Sequence, residues 1–130
     1  MIAYSMVGTN NLEASGKFYD AIFTPMGAER TWEADKFIAW GIRELGPTPS
    51  FSITAPYNGE KATVGNGSMT SFAASSPEMV NEIYRLAIEN GGSDEGEPGY
   101  RGDPAFGFYA GYFRDPDGNK CNAFCMAPQK

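Results

Sequence analysis

The chain has 130 residues, of which 42% are hydrophobic, and it carries 10 Lys and Arg against 16 Asp and Glu, a formal net charge of −6. This length suits one domain with an ordinary core. The acidic balance argues against nucleic acid and anionic membranes as partners, because both repel a surface without basic clusters. The sequence has no run of 18 apolar residues and no basic, apolar leader, so we expect a cytoplasmic protein.

Histidine is absent from the sequence. Ser-His-Asp and Cys-His nucleophile systems, His-ligated zinc and imidazole acid-base catalysis are therefore excluded for this chain alone. Cys121 and Cys125 are four residues apart in a strand-like run, which separates them by about 13 Å and prevents a disulfide between them. We expect two free thiols that are buried or half-buried.

The first half of the chain predicts a strand, a helix and then three strands. Residues 1–8 form a short apolar run, and apolar residues from Leu12 to Met26 follow the spacing of a helix that buries one face. Asn10 and Glu13 resemble a capping box at the start of this helix, and Gly27 is a suitable end. The strand candidates that follow are 28–33, 36–43 and 50–55.

The second half repeats this order. Residues 67–74 are a strand candidate, Ser76 and Pro77 predict a helix start, and the next strand candidates are 93–96, 106–114 and 119–126. We expect 95–104 to be a loop without regular structure, and 115–119 to form a hairpin turn. The pattern predicts a single α+β domain over 1–130, built from paired βαβββ modules at 1–56 and 66–126. Two curled mixed sheets with helices on their outer faces would leave a concave inner surface.

Four segments that follow this duplication resemble the vicinal oxygen chelate superfamily. That superfamily includes glyoxalase I, bleomycin-resistance proteins, fosfomycin-resistance enzymes and extradiol dioxygenases. The segments that carry the resemblance are NNLEAS at 10–15 leading to Phe18-Tyr19, GNGSMTSF at 65–72, Gly91-Gly92, and FRDPDGNK at 113–120. Each motif is weak alone, but four in register cover almost the whole chain.

The resemblance implies a divalent-metal site on the concave face, with three or four ligands of the His, Glu or Gln type. The corresponding positions in this chain are Tyr4, Met69, Asn122, and either Ser52 or Ile53. None of these residues is a His or a carboxylate. Because uncharged groups of this kind are poor ligands for magnesium, manganese, iron or zinc, we expect no metal cofactor, although typical relatives hold a divalent metal.

Strand alternation divides the side chains between the concave face and the helix face. On this basis Met69 and Ser71 share the inner face of the second module's first strand, and Asn122 and Phe124 face inward from its last strand. The pocket residues predicted from the sequence are Tyr4, Met6, Trp40, Met69, Ser71, Tyr109, Asn122 and Phe124. These side chains either line a pocket for an apolar or aromatic ligand or fill a collapsed core, and the sequence leaves both interpretations open.

Three functions are compatible with this pattern. The first is binding of a small apolar or aromatic molecule without a metal, in the manner of the bleomycin-resistance branch. The second is a metal-dependent lyase or dioxygenase with atypical ligands, and the third is a structural or partner-binding domain whose cavity has closed. The sequence assigns no catalytic residue. Exposed sheet edges, together with the resemblance, favour a two-fold homodimer.

Overall fold

Two four-stranded sheets, each covered by one helix, form the fold, which a computed structural model describes for residues 1–129. In chain order the elements are β1 Tyr4–Gly8, α1 Leu12–Phe23, β2 Glu29–Glu33, β3 Phe37–Gly41, β4 Ser50–Thr54, β5 Thr70–Ala73, α2 Pro77–Glu89, β6 Ser93–Tyr100, β7 Phe108–Arg114 and β8 Lys120–Met126. Short 3-10 turns follow α1 at Thr24–Met26 and β3 at Arg43–Leu45. The predicted α+β class with paired βαβββ modules is confirmed.

The two sheets have the same topology. Their strand orders are β1-β4-β3-β2 and β5-β8-β7-β6. In each sheet the module's first strand pairs in parallel with its last strand, and the other pairs are antiparallel. Two parallel strands of one sheet can be joined only by a connection that crosses a face of the sheet. In each module this connection includes the helix, which therefore lies on one face of the sheet. The first strand of each module, β1 or β5, therefore forms one edge of its sheet.

The helix boundaries follow capping residues, with one correction. Ser76 caps α2 by accepting from the Met79 backbone N–H, as the sequence predicts. The cap of α1 is Asn11, whose side chain accepts from the Ala14 N–H, so the assignment to Asn10 is wrong. Asn10 instead exchanges hydrogen bonds with the backbone of Ala62, which fastens the connector between the modules to the first module.

Strand β6 is longer than the sequence indicates. It runs over Ser93–Tyr100, so the prediction of an unstructured loop from residue 95 is wrong. Its pairing with β7 shifts register between Asp94 and Gly96 and again between Gly96 and Gly99. The glycines and Pro98 that look like loop residues in the sequence lie at these irregularities, because bulges take residues that regular strands exclude.

One hydrophobic core joins the two modules. On α1, Tyr19 and Phe23 are 0% and 2% exposed, and both rings pack against Phe72 of the second module at centroid separations of 6.3 and 5.0 Å. On α2, Val80 and Ile83 are fully buried in the same core. The helix faces of both sheets are thereby covered within the chain. Within residues 1–129 the structure has no helix with the length and apolar character of a membrane span.

Candidate functional site

The concave face of the first module carries a groove of about 650 Å³. This volume lies within the range of small-molecule sites in proteins. The groove is lined by Tyr4, Met6, Thr31, Trp32, Phe37, Ala39, Arg43, Gly46, Pro47, Ser50 and Ser52. Aromatic and aliphatic side chains supply most of this lining, and the hydroxyls of Thr31, Ser50 and Ser52 add hydrogen-bonding groups.

The register of β1 and β4 explains why the floor of the groove is mixed apolar and polar. Tyr4 is paired with Ser50, and Met6 with Ser52, so these four side chains share one face of the parallel pair. The alternate residues of β4 face the helix, where Ile53 is fully buried. Of the two candidates for the fourth ligand-equivalent position, Ser52 is therefore the residue on the concave face.

A β-bulge directs Trp32 into the groove. Arg30 is paired with Trp40, whereas Trp32 is paired with Ala39, so Thr31 is an extra residue in β2. With regular alternation Trp32 would share the face of Arg30 and point away from the groove. The bulge reverses this, and Trp32 lines the groove with 65% of its surface exposed and its ring 6.0 Å from that of Phe37. The two rings form an aromatic wall.

Arg43 contributes a cation to the groove from the turn after β3. Its Nε donates to Glu29 Oε1 at 2.6 Å, and its Nη2 donates to the Arg30 carbonyl at 3.0 Å. A guanidinium has five N–H donors, so these two bonds leave three donors without a partner within residues 1–129. The bonds also restrict the orientation of the guanidinium, which lines the groove beside apolar residues.

Two of the pocket residues predicted from the first module lie in this groove, and one does not. Tyr4 and Met6 line it and are 64% and 47% exposed, so they do not fill a collapsed core. Trp40 is 1% exposed and lies on the opposite face, where its Nε1 donates to Asp20 of α1 at 2.9 Å. The assignment of Trp40 to the pocket is wrong, because β3 alternates with Phe37 and Ala39 toward the groove.

The predicted pocket residues of the second module lie outside the groove. Asn122 and Phe124 face the concave side of β8, and the ring of Phe124 packs against that of Phe108 at a centroid separation of 4.6 Å. Ser71 is paired with Asn122 on that face. Tyr109 faces α2 instead, since its hydroxyl donates to Asn81 Oδ1 at 2.7 Å, so its assignment to the pocket is wrong.

Met69 is 45% exposed and lies just before β5. It lines a second cavity of about 220 Å³, and this cavity also contacts Met6. Met6 therefore lies between the groove and the second cavity. Of the ligand-equivalent residues, Tyr4 and Ser52 line the groove, whereas Met69 lines the second cavity.

Asn122 has an unusual environment for an amide side chain. It is 2% exposed, and its Oδ1 is buried without a hydrogen-bond partner within residues 1–129. A buried acceptor that lacks a donor costs about 1–3 kcal/mol. Asn122 therefore weakens the fold at a position that faces the concave side.

Comparison with known proteins identifies the family. The model described as "Glyoxalase/Bleomycin resistance protein/Dioxygenase superfamily" matches residues 1–122. The chain belongs to this superfamily. A glyoxalase/bleomycin resistance protein from Albidiferax ferrireducens T118 is 41% identical, with a TM-score of 0.84, over 95% of this chain and 97% of that chain.

More distant members of the superfamily share the fold. A family enzyme from Burkholderia phytofirmans PsJN is 15% identical with a TM-score of 0.72, over 96% of this chain and 98% of that chain. A lactoylglutathione lyase from Agrobacterium tumefaciens is 18% identical with a TM-score of 0.66, over 95% of this chain and 92% of that chain. A search of curated proteins gave no match.

The metal site typical of the superfamily does not fit the residues of this chain. Within residues 1–129, no three His, Cys, Asp or Glu side chains are grouped so that they could hold a metal ion. The equivalent positions carry Tyr4, Ser52, Met69 and Asn122, which offer no charged donor to a divalent cation that must shed its water.

Both thiols, Cys121 and Cys125, are free and buried, as predicted, and Cys121 is among the core residues under the helices.

Sequence reasoning missed the residues that most define the groove. Trp32, Phe37 and Arg43 line it, yet none was among the predicted pocket residues. The alternation of β3 could have indicated Phe37, because Ile38 and Trp40 suit the buried face. Nothing in the sequence marks the bulge at Thr31, and the position of Arg43 depends on the turn that joins β3 to β4.

Proposed function

We propose that this protein binds a small, largely apolar or aromatic molecule on its concave face, without the metal centre typical of its superfamily. The observation that carries the proposal is the groove of about 650 Å³, in which exposed aromatic side chains stand beside a few hydroxyls. An adaptable thioether such as that of Met6 and rigid rings such as those of Trp32 and Phe37 suit an apolar ligand.

The side chains at the ligand-equivalent positions support the metal-free part of the proposal. Tyr4 and Ser52 are uncharged, and they lie among apolar groove residues rather than among carboxylates. A divalent cation bound there would lose its water shell without anionic ligands to compensate. The groove residues bind and orient a ligand and exclude water from it, and no proton-transfer step is assigned to them.

We also propose that the protein forms a two-fold homodimer. Large apolar side chains outside the groove are exposed on the second module, among them Phe108 and Met126, which are paired neighbours on β7 and β8. Strands β1 and β5 each lie at an edge of their sheet, and within the residues that the structure describes each pairs with a strand on one side only. A second copy would cover part of this surface. Sedimentation velocity at micromolar concentration tests the proposal, and a species of one chain throughout would contradict it.

The neutral fluorophore N-phenyl-1-naphthylamine tests the binding function. We expect it to bind with enhanced emission, to accept excitation energy from Trp32, and to lose at least about tenfold in affinity in Met6→Glu, because a charge would then stand in the apolar floor. Lys17→Glu, which places the same charge on an exposed position of α1, is the control. Binding that Met6→Glu does not weaken would contradict the groove as the site.

Metal analysis tests the other part of the proposal. Protein purified without chelator should contain far less than one equivalent of any divalent metal, and EDTA should leave the affinity for N-phenyl-1-naphthylamine unchanged. About one equivalent of a single metal, with activity toward a superfamily substrate that EDTA removes and that metal restores, would instead establish a metal-dependent enzyme.

A further inference from the structure

We infer that the ligand of the groove is a planar aromatic molecule that carries an anionic group, such as a carboxylate or a sulfonate, bound by Arg43. This inference rests on the proposed function, since it names the chemical class of the molecule that the groove binds. It follows from the charge of the groove, the open donors of Arg43 and the shape of the aromatic wall.

The charged side chain that lines the groove is a cation, although the chain as a whole is acidic. The protein carries a formal net charge of −6, yet Arg43 is the only charged residue among those that line the groove in the described part of the chain. Glu29 is bonded to the Nε of Arg43 and offsets part of this charge, but it is not among the lining residues. An anionic ligand in the groove would therefore meet a cation and no lining carboxylate.

The guanidinium is suited to a planar anion. Its bonds to Glu29 Oε1 and to the Arg30 carbonyl use one hydrogen on Nε and one on Nη2, so both Nη1 hydrogens and one Nη2 hydrogen remain. A carboxylate or sulfonate accepts two parallel hydrogen bonds from such a group. Because Arg43 is already held on one side, less side-chain entropy is lost when the anion binds.

The aromatic wall selects the body of the ligand. Trp32 and Phe37 lie with ring centroids 6.0 Å apart and an interplanar angle of 39°, and both residues line the groove. A flat aromatic body would pack on these rings, while its anionic group reaches Arg43. The bulge at Thr31 supports this arrangement, because it brings Trp32 to the same face as Arg43.

The test compares two probes that differ in one charged group. N-phenyl-1-naphthylamine and 8-anilino-1-naphthalenesulfonate share the same aromatic body, and only the second carries a sulfonate. We expect the sulfonate to bind about tenfold more tightly than the neutral probe at about 50 mM salt, and to lose most of this advantage at about 500 mM salt. Excitation energy should reach both probes from Trp32, and the transfer should fall in Trp32→Phe to the part that Trp40 supplies.

Variants of Arg43 separate this inference from the proposed function. Arg43→Gln should weaken sulfonate binding about tenfold more than it weakens binding of the neutral probe, whereas Arg43→Lys should restore only part of the loss. Arg85→Gln is the matched control, because Arg85 pairs with Glu82 and Glu89 on the exposed face of α2.

Two results would contradict different claims. If the neutral probe binds in a Trp32-dependent way but the sulfonate binds no more tightly, or Arg43→Gln leaves their ratio unchanged, the anionic class is wrong and the proposed function stands. If neither probe binds near Trp32, as when a second protein copy fills the groove, both the inference and the proposed function are wrong.

Discussion

The hydroxyl of Tyr19 donates a hydrogen bond of 2.7 Å to Asp115 Oδ2, across 96 residues of sequence and between the two modules. Tyr19 lies on α1 of the first module, and Asp115 lies in the turn between β7 and β8 of the second. The same carboxylate accepts from Asn119 Nδ2 and from the backbone N–H groups of Asp117 and Asn119. Burial raises the pKa of the Asp115 carboxyl, and these hydrogen bonds oppose the rise.

Removing the Tyr19 hydroxyl should destabilise the contact between the modules. We expect Tyr19→Phe to lower the free energy of unfolding by about 1–2 kcal/mol, because a buried carboxylate loses one of its donors while the ring packing is kept. Urea denaturation measures the change. Tyr109→Phe, which removes an exposed hydrogen bond to Asn81, is the control and should cost less than about 0.5 kcal/mol. Equal losses in the two variants would show that the buried bond has no special role.

The Asp20 carboxyl should make the free energy of unfolding depend on pH. Burial alone would raise the pKa of this carboxyl, but hydrogen bonds from Arg30 and from Trp40 Nε1 outweigh it and hold the pKa below its ordinary value. Asp20 therefore adds to the free energy of unfolding at pH values above its unfolded-state pKa of about 3.9. This stabilisation is lost as the pH falls through the lower folded-state pKa.

We expect Asp20→Asn to be less stable than the wild type by about 1–2 kcal/mol near neutral pH, a figure that allows for partial solvent screening of the pair. The difference in unfolding free energy between the two proteins should narrow below about pH 4. There the Asp20 carboxylate of the wild type takes up its proton, first in the unfolded state and at lower pH in the folded state. Thermal or urea unfolding at a series of pH values measures it. Glu13→Gln, which removes an exposed ion pair with Lys17, is the control. A difference that is constant from pH 7 to pH 3 would contradict the assignment.

The sequence predicts the fold better than the groove, for a physical reason. Helix periodicity, the Ser76 cap and the duplicated order are local signals, and strand alternation correctly places Asn122 and Phe124 opposite the buried Cys121. The polar N–H of Trp40 suits a pocket as well as a core, and in the structure it donates to Asp20 under α1. A single inserted residue, Thr31, also reverses the phase within β2.

Asn122 should be replaceable without loss of stability. We expect Asn122→Leu to leave the free energy of unfolding unchanged or to raise it by up to about 1 kcal/mol, because a buried carbonyl without a donor is exchanged for an apolar group of similar size. Asn119→Leu is the matched control and should cost at least about 2 kcal/mol, since Asn119 donates to Gly8 and to Asp115. A large loss in Asn122→Leu would mean that its carbonyl has a donor in solution.

The fluorescence of the two tryptophans should show whether the bulge in β2 places Trp32 at the surface. Trp32 is 65% exposed and Trp40 is 1% exposed, so the wild-type emission should contain one component that acrylamide quenches readily and one that it quenches poorly. We expect Trp32→Phe to remove the readily quenched component and to shift the emission maximum to shorter wavelength, because the remaining indole lies in the core. Phe37→Leu, which takes away the neighbouring ring but leaves β2 intact, should increase quenching of Trp32.

Wild-type protein in which neither tryptophan is readily quenched would show that Trp32 is covered in solution. A quenched component that persists in Trp32→Phe would instead place Trp40 at the surface and contradict the register of β2 with β3.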